Sequence, residues 1–86
     1  MNIIFHRNFR KQHKKLRSQQ QLRFKRRRDL FLKDPTHPTL NNHALHGEYR
    51  GYRSINIDSD LRVIYEEVDG NTAHFVLIDT HSNLYE

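Results

Sequence analysis

Among residues that can do chemistry, this chain favours histidine: it has seven in 86 residues and no cysteine. Imidazole either binds a metal or moves protons, because its ordinary pKa of about 6.5 leaves both protonation states populated near neutrality. The metal reading is narrow. His43 and His46 have the spacing of two ligands on one helical face, but Asn41 and Asn42 before them and Gly47 after them mark a loop, and no H-E-x-x-H pattern supplies more ligands. No metal and no cofactor are therefore expected. What remains is acid–base work, for which the chain offers His43, Asp60 and His81 as proton carriers, Arg53 and Arg62 as cations, and Tyr85 as an aromatic platform. Metal-free cleavage of an RNA phosphodiester needs such a set. A base takes the 2'-hydroxyl proton, an acid protonates the departing 5'-oxygen, cations stabilise the phosphorane, and something holds the nucleotides in line. On that assignment His81 is the acid, Asp60 or His43 the base, Arg53 and Arg62 the phosphate clamp, and Tyr85 a surface on which a base stacks.

Each of these residues also has a plainer use. Asp60 suits a hairpin turn, His81 an exposed position after a strand, Tyr85 a cover for a sheet edge, and Arg62 a solvated strand face. Tyr52 and Tyr65 read as cross-strand packing, and His6, His13, His37 and His74 as surface or packing residues.

The elements that must position the candidates follow from periodicity. Asn2 to His6 reads as a strand, and Arg7 to Arg17, with Phe9, His13 and Leu16 at helical spacing, as a helix. Ser18 suits the N-cap of a second helix from Gln19 to Lys33, which Asp34-Pro35 stops. Arg26, Arg27 and Arg28 in that helix must face water or a partner, since guanidinium groups are rarely buried unpaired. Pro35 and Pro38 keep an extended connector running to Asn41. A hairpin follows, with Arg53 to Asp58 alternating, Asp58, Ser59 and Asp60 as turn formers, and Leu61 to Tyr65 returning. Val68 to Asn71 is a second turn, Ala73 to Ile78 a third strand, and Thr80 to Glu86 a closing tail. The order predicts one α+β domain over residues 1–86: an N-terminal strand, two helices, and a three-stranded antiparallel meander in one sheet.

A domain of this size buries only roughly 60 to 65% of its unfolded surface, so its site should be an open groove. No apolar run reaches the ~20 residues of a membrane span, and the start of the chain lacks the apolar core of a signal peptide. A cytoplasmic protein that leaves membranes alone is expected. Charge is lopsided: residues 1–33 hold 12 Lys/Arg against the single acid Asp29, and residues 34–86 hold three Lys/Arg against nine acids, so +11 and −6 return the net +5. Clustered cations attract a polyanion and release its counterions on binding. Nucleic acid fits, and so does an acidic protein.

The segment H-x-L-x-G-x-(aromatic)-(basic)-G-Y-R is filled here by His43, Leu45, Gly47, Tyr49, Gly51, Tyr52 and Arg53. It is followed by Asp60, Arg62, Ile64 and Tyr65, then by His81, Leu84 and Tyr85. Together they resemble the YafQ branch of the RelE superfamily, ribonuclease toxins of bacterial toxin–antitoxin modules that cut messenger RNA on the ribosome. The resemblance implies a RelE-like fold, catalytic residues at His43, Asp60, His81 and Tyr85, RNA contacts from the basic helices, and an acidic antitoxin as protein partner. It departs at two positions. Asn56 stands where the family commonly has a further histidine, and Leu61 where it has tryptophan after the aspartate. Asn56 can hydrogen-bond RNA but cannot shuttle a proton, so it is expected to bind only. The rival expectation is a non-catalytic RNA-binding or complex-forming module on the same fold.

Overall fold

A computed structural model of the chain describes residues 1–85, which leaves the expected tail residue Glu86 outside the description. Strand β1 (Asn2–Phe5) leads into helix α1 (Arg7–Lys14), and α2 (Ser18–Lys33) follows after a short turn. A connector with a 3-10 turn at Pro38–Leu40 reaches β2 (His43–Ala44), and a second 3-10 turn at Gly47–Tyr49 leads to β3 (Arg53–Asn56). Long strands β4 (Leu61–Asp69) and β5 (Thr72–Thr80) and helix α3 (His81–Tyr85) complete the order. Among the described residues the strands form one sheet, ordered β1-β5-β4-β3-β2, antiparallel except that β1 runs parallel to β5. The α+β architecture agrees with the expectation. The sheet nevertheless gains a fifth strand, β2, which a proline-spaced connector offered little reason to expect, and the tail forms a helix.

Period-two alternation builds the core. Ile55 on β3, Val63 and Tyr65 on β4, and Phe75 and Ile78 on β5 face Phe9 of α1 and Phe24 and Phe31 of α2, all buried. Phe24 and Phe31 lie seven residues apart, two turns along one stripe of α2. The Phe31 ring meets Tyr65 edge-on at 5.1 Å and Phe75 at 5.4 Å. Burying each such side chain stabilises the fold by about 1.5–3 kcal/mol. The stripe is narrow: Leu22 and Leu32 of α2 stay 48% and 40% exposed.

Backbone groups at the element ends are matched by side chains. Arg17, not Ser18, caps α2, and its amide donates to the Gln20 side chain at 2.9 Å. Strand β1 ends at Phe5 opposite Phe75, so the upper half of β5 has no partner strand on that side; there the Ile78 amide donates to Gln12 Oε1 of α1 at 3.1 Å. The connector is fastened by Asn42, whose Nδ2 donates to the Pro35 carbonyl at 2.9 Å and to the Tyr65 hydroxyl at 2.7 Å.

Candidate active site

On the sheet face opposite the core, cross-strand pairing sets side chains in rows. His43 lies opposite Ser54 and Ser54 opposite Ile64, while Asn56 lies opposite Arg62 and Arg62 opposite Asp79. Paired residues share a face with Cβ atoms about 4.5–5.5 Å apart. Helix α3 closes one side of these rows. The Thr80 hydroxyl accepts the Asn83 amide at 3.3 Å, as an N-cap does, and buried Leu84 holds the helix to the sheet. The His81 amide donates to the Asp60 carbonyl at 2.8 Å, and one turn later Tyr85 returns beside His81 with ring centres 4.8 Å apart. An open groove of about 340 Å³ results. Asn41, His43 and Leu45 form one wall, Ser54, Asn56 and Arg62 the floor, and His81 and Tyr85 the other wall.

The orientation of His43 follows from Asn41. Asn41 has φ +46°, a left-handed conformation that asparagine tolerates better than most residues. Its carbonyl lies 2.7 Å from His43 Nδ1. A carbonyl only accepts, so Nδ1 carries the hydrogen, and neutral His43 keeps its lone pair on Nε2. The loop from β2 to β3 turns at Gly47 and Gly51, with φ +65° and +93°, where a side chain would be strained.

Arg62 is held by the hairpin turn. Its Nη1 donates to the Asp58 and Leu61 carbonyls at 2.8 and 3.2 Å, and its Nη2 to the Ser59 carbonyl at 3.1 Å. The turn is fixed in its own right by Asp58, whose Oδ1 accepts the Leu61 and Asp60 amides at 2.7 and 2.9 Å and whose Oδ2 meets Arg23 at 3.2 Å. Burial pushes the Asp58 carboxyl up, but those amides and the Arg23 guanidinium outweigh it and hold the group below the usual carboxylate range.

The expected residues thus divide. His43, Asn56, Arg62, His81 and Tyr85 come together from four segments of the chain. Asp60 does not line the groove: its side chain is exposed and its backbone serves the turn and α3. Arg53 points to the core side of β3, where its Nε donates to Asn42 Oδ1 at 2.8 Å. Leu61, the second departure from the family pattern, is a core residue at 1% exposure. The three consecutive arginines of α2 do not share one face. Arg26 and Arg27 line a hollow of about 530 Å³ with Arg23 behind the Asp58 turn, where Arg27 Nε donates to the Ile57 carbonyl at 3.2 Å. Arg28 instead borders a trough between α1 and α2, rimmed also by Arg10, Lys14 and Lys25 and floored by Phe5, Phe9 and Phe24. In that trough burial first, and then Arg28, pushes the His13 imidazole down.

Ser54 and Asn41 went unmarked by motif reasoning. Ser54 had a signal, since it alternates with Asn56 at spacing two and must share its face. Its hydroxyl and Asn56 Oδ1 are buried without a hydrogen-bond partner among the described residues. Also among the described residues, no group of three or more His, Cys, Asp or Glu is arranged to hold a metal ion.

Comparison with known proteins gives a concordant result. The family model described as "Bacterial toxin of type II toxin-antitoxin system, YafQ" matches residues 1–86. None of the curated proteins is a significant sequence match. Among solved structures, YafQ from E. coli strain BL21(DE3) superposes with a TM-score of 0.81 at 20% identity, over 99% of this chain and 98% of that one. The E. coli DinJ-YafQ toxin-antitoxin complex matches at TM-score 0.78 and 20% identity, over 99% and 97% of the two chains. A YoeB/ParE toxin from Agrobacterium tumefaciens matches at TM-score 0.76 and 14% identity, over 94% and 99%. At such identities the structural likeness is one of fold.

Proposed function

This chain belongs to the YafQ family of bacterial type II toxin–antitoxin toxins, and from that premise we propose that it is a ribosome-dependent endoribonuclease acting in the cytoplasm. What supports the reading is the convergence of two imidazoles, a guanidinium, an amide and a phenol, from segments far apart in sequence, on one open groove of an otherwise stable sheet. His43 Nε2 takes the proton of a 2'-hydroxyl. The freed oxygen attacks the adjacent phosphorus, and the bond from phosphorus to the 5'-oxygen breaks. His81 protonates that leaving oxygen, which gives a 2',3'-cyclic phosphate and a 5'-hydroxyl end. Arg62, anchored by turn carbonyls, keeps a fixed positive charge beside the phosphorane without having to reorganise as the reaction proceeds. Tyr85 is a flat surface against which a base stacks.

In this reading His43 is the base, because it lines the groove with Nδ1 engaged by the Asn41 carbonyl and Nε2 left to accept, while Asp60 is not among the groove's lining residues. The basic helices dock ribosomal RNA, and an acidic antitoxin neutralises the same charge. The E. coli DinJ-YafQ complex, whose toxin has the same fold, is a toxin-antitoxin complex.

The test is single-turnover cleavage of a message on ribosomes with analysis of the product ends. His81→Ala should lower the rate by about 10² to 10⁴ while leaving ribosome affinity in place. Tyr85→Phe should retain most activity and Tyr85→Ala should not. A folded His81→Ala variant cutting at the wild-type rate, or 3'-hydroxyl ends in the products, sinks the mechanism.

A further inference from the structure

The groove adjoins a second open hollow of about 540 Å³, whose lining includes His6 ahead of α1, Glu48, Tyr49 and Tyr52 from the loop between β2 and β3, Glu66 of β4 and His74 of β5. Arg62, Ile64 and Glu66 alternate along β4, so both depressions open on the sheet face opposite the core. Tyr49 joins them. Its ring meets Tyr85 of the groove wall edge-on, with 6.1 Å between centres, and also lines the hollow. The two linings differ in chemistry: the groove carries Arg62, whereas no Lys or Arg lines the hollow, which sets two phenols beside two carboxylates. A phosphate finds no cation there. Glu66 Oε1 is already 3.3 Å from His74 Nδ1, while exposed Glu48 forms no ion pair among the described residues. Burial first, and then the Glu48 charge, push the Tyr49 phenol up, which sets that carboxylate beside the ring. His6 Nδ1 accepts the Asn8 amide at 3.0 Å, so neutral His6 carries its hydrogen on Nε2.

We infer that this hollow holds the base of the nucleotide next to the scissile one, and that Glu48 selects guanine there. This rests on the ribonuclease reading. A strand whose scissile nucleotide stacks on Tyr85 brings its neighbour to the Tyr49 ring, and Tyr52 supplies a second aromatic surface. The carboxylate then chooses the base by what the base must donate. An ionised carboxylate only accepts, so the ligand needs N–H groups. Guanine presents two adjacent donors, N1–H and its N2 amino group, to the two oxygens of one carboxylate. Adenine and cytosine set a ring-nitrogen lone pair beside their amino group, and uracil flanks its one N–H with carbonyls, so each of them turns an acceptor toward Glu48. The Nε2–H of His6 complements the O6 and N7 acceptors on the other edge of guanine. A basic side chain of a protein also suits carboxylates and aromatic rings, but the contact of Tyr49 with Tyr85 ties the hollow to the groove where RNA is cut.

The experiment titrates the full chain with guanosine, adenosine, cytidine and uridine by NMR, beside single-turnover ribosomal cleavage of messages that differ only in the bases flanking the cut. Guanosine should bind about tenfold or more tightly than the other three, the worth of one bidentate base contact, and should move the Tyr49, Tyr52 and His74 ring signals. Messages with guanine beside the cut should be cleaved faster by a similar factor. Glu48→Gln sits at an exposed position and keeps the fold, but it puts an amino group where an acceptor stood, and should flatten the preference to within about threefold. Tyr52→Leu should instead weaken all four nucleosides alike, by about tenfold, since stacking is indifferent to the base. An equal response of wild type to the four nucleosides overturns the inference, and so does a guanosine preference that survives Glu48→Gln, or ring shifts confined to His81 and Tyr85. N-acetylarginine amide binding in the hollow more tightly than guanosine assigns it to a basic protein segment and overturns the inference equally. If guanosine is selected but no message is cut, the ribonuclease reading fails while the base-reading hollow stands; if messages are cut without regard to the flanking base, the reverse holds.

Discussion

Removing the Asp58 carboxylate should both loosen the fold and disable the groove, because one side chain fixes the turn that holds Arg62. Its Oδ1 accepts two amides, at 2.7 Å from Leu61 and 2.9 Å from Asp60, and the side chain is only 18% exposed. Hydrogen bonds to a charged acceptor contribute about 1.5–3 kcal/mol each when both partners are shielded. The Leu61 amide is part-buried and qualifies, whereas the Asp60 amide is exposed and regains water in the variant. Arg23 is 51% exposed, so the ion pair adds at most about 1 kcal/mol. Asp58→Ala should therefore cost about 2–4 kcal/mol, a fall in Tm of roughly 10–25 °C for a domain of this size. Asp58→Asn keeps an oxygen acceptor but loses the charge, and should cost about half as much. The folded-state pKa of Asp58 lies below its unfolded value. Its stabilisation is therefore complete above the unfolded pKa of about 3.9 and is lost as pH falls through the folded value. Urea unfolding followed by circular dichroism from about pH 7 down to pH 3 should show an acid decline that Asp58→Asn flattens. Cleavage by the asparagine variant should fall as well, since the Asp58, Ser59 and Leu61 carbonyls that hold Arg62 lose their anchor. A loss below about 0.5 kcal/mol in Asp58→Ala would refute this account of the turn.

Replacing Arg26, Arg27 and Arg28 together with Ala should weaken ribosome binding and reduce its logarithmic salt slope by about 0.7–0.9 for each phosphate that the protein no longer neutralises, while circular dichroism stays native; an unchanged slope would assign the patch to another partner. Arg53→Met should behave in the opposite way. It leaves Asn42 Oδ1 without its donor beside Tyr65, so unfolding should show a loss of about 1–3 kcal/mol with the salt slope of RNA binding unaltered. Stability retained with a reduced slope would return Arg53 to the phosphate clamp.

Much of this arrangement was legible in the sequence because its periods are strong. Alternation at Arg53 to Asn56 and Leu61 to Tyr65, with Asp58, Ser59 and Asp60 between, defined a hairpin, and the histidine, arginine and tyrosine flanking it supplied a chemical set. Less legible were features that depend on a single dihedral or a long-range partner. Strand β2 is two residues long and exists because β3 offers an edge to it; no local pattern of that length carries a signal. Asn41 belongs to no motif, yet its positive φ aims the carbonyl that selects the His43 tautomer. The Asp60 carboxylate matched a catalytic motif but stands clear of the groove, since the backbone of Asp60, not its side chain, joins the turn to α3. Arg53 and Arg62 look alike in sequence and differ only in which face of the sheet they occupy.

That difference of face links stability to function throughout the sheet. Ile55 lies between Ser54 and Asn56, and Leu61 and Val63 flank Arg62, so each strand carries the core on one face and the groove on the other. A slip of one residue between β3 and β4 would drive Arg62 among Phe24 and Phe31 and turn Val63 into the groove. The cost of burying that guanidinium unpaired far exceeds any error that the hairpin turn alone could prevent. The aromatic core therefore selects the register that sets Asn56 and Arg62 side by side on the groove face, and buried Leu84 holds α3, with His81, beside them. Asp58 and Gln12 refine that choice, one by closing the turn at its correct length and the other by occupying the amide left open where β1 ends.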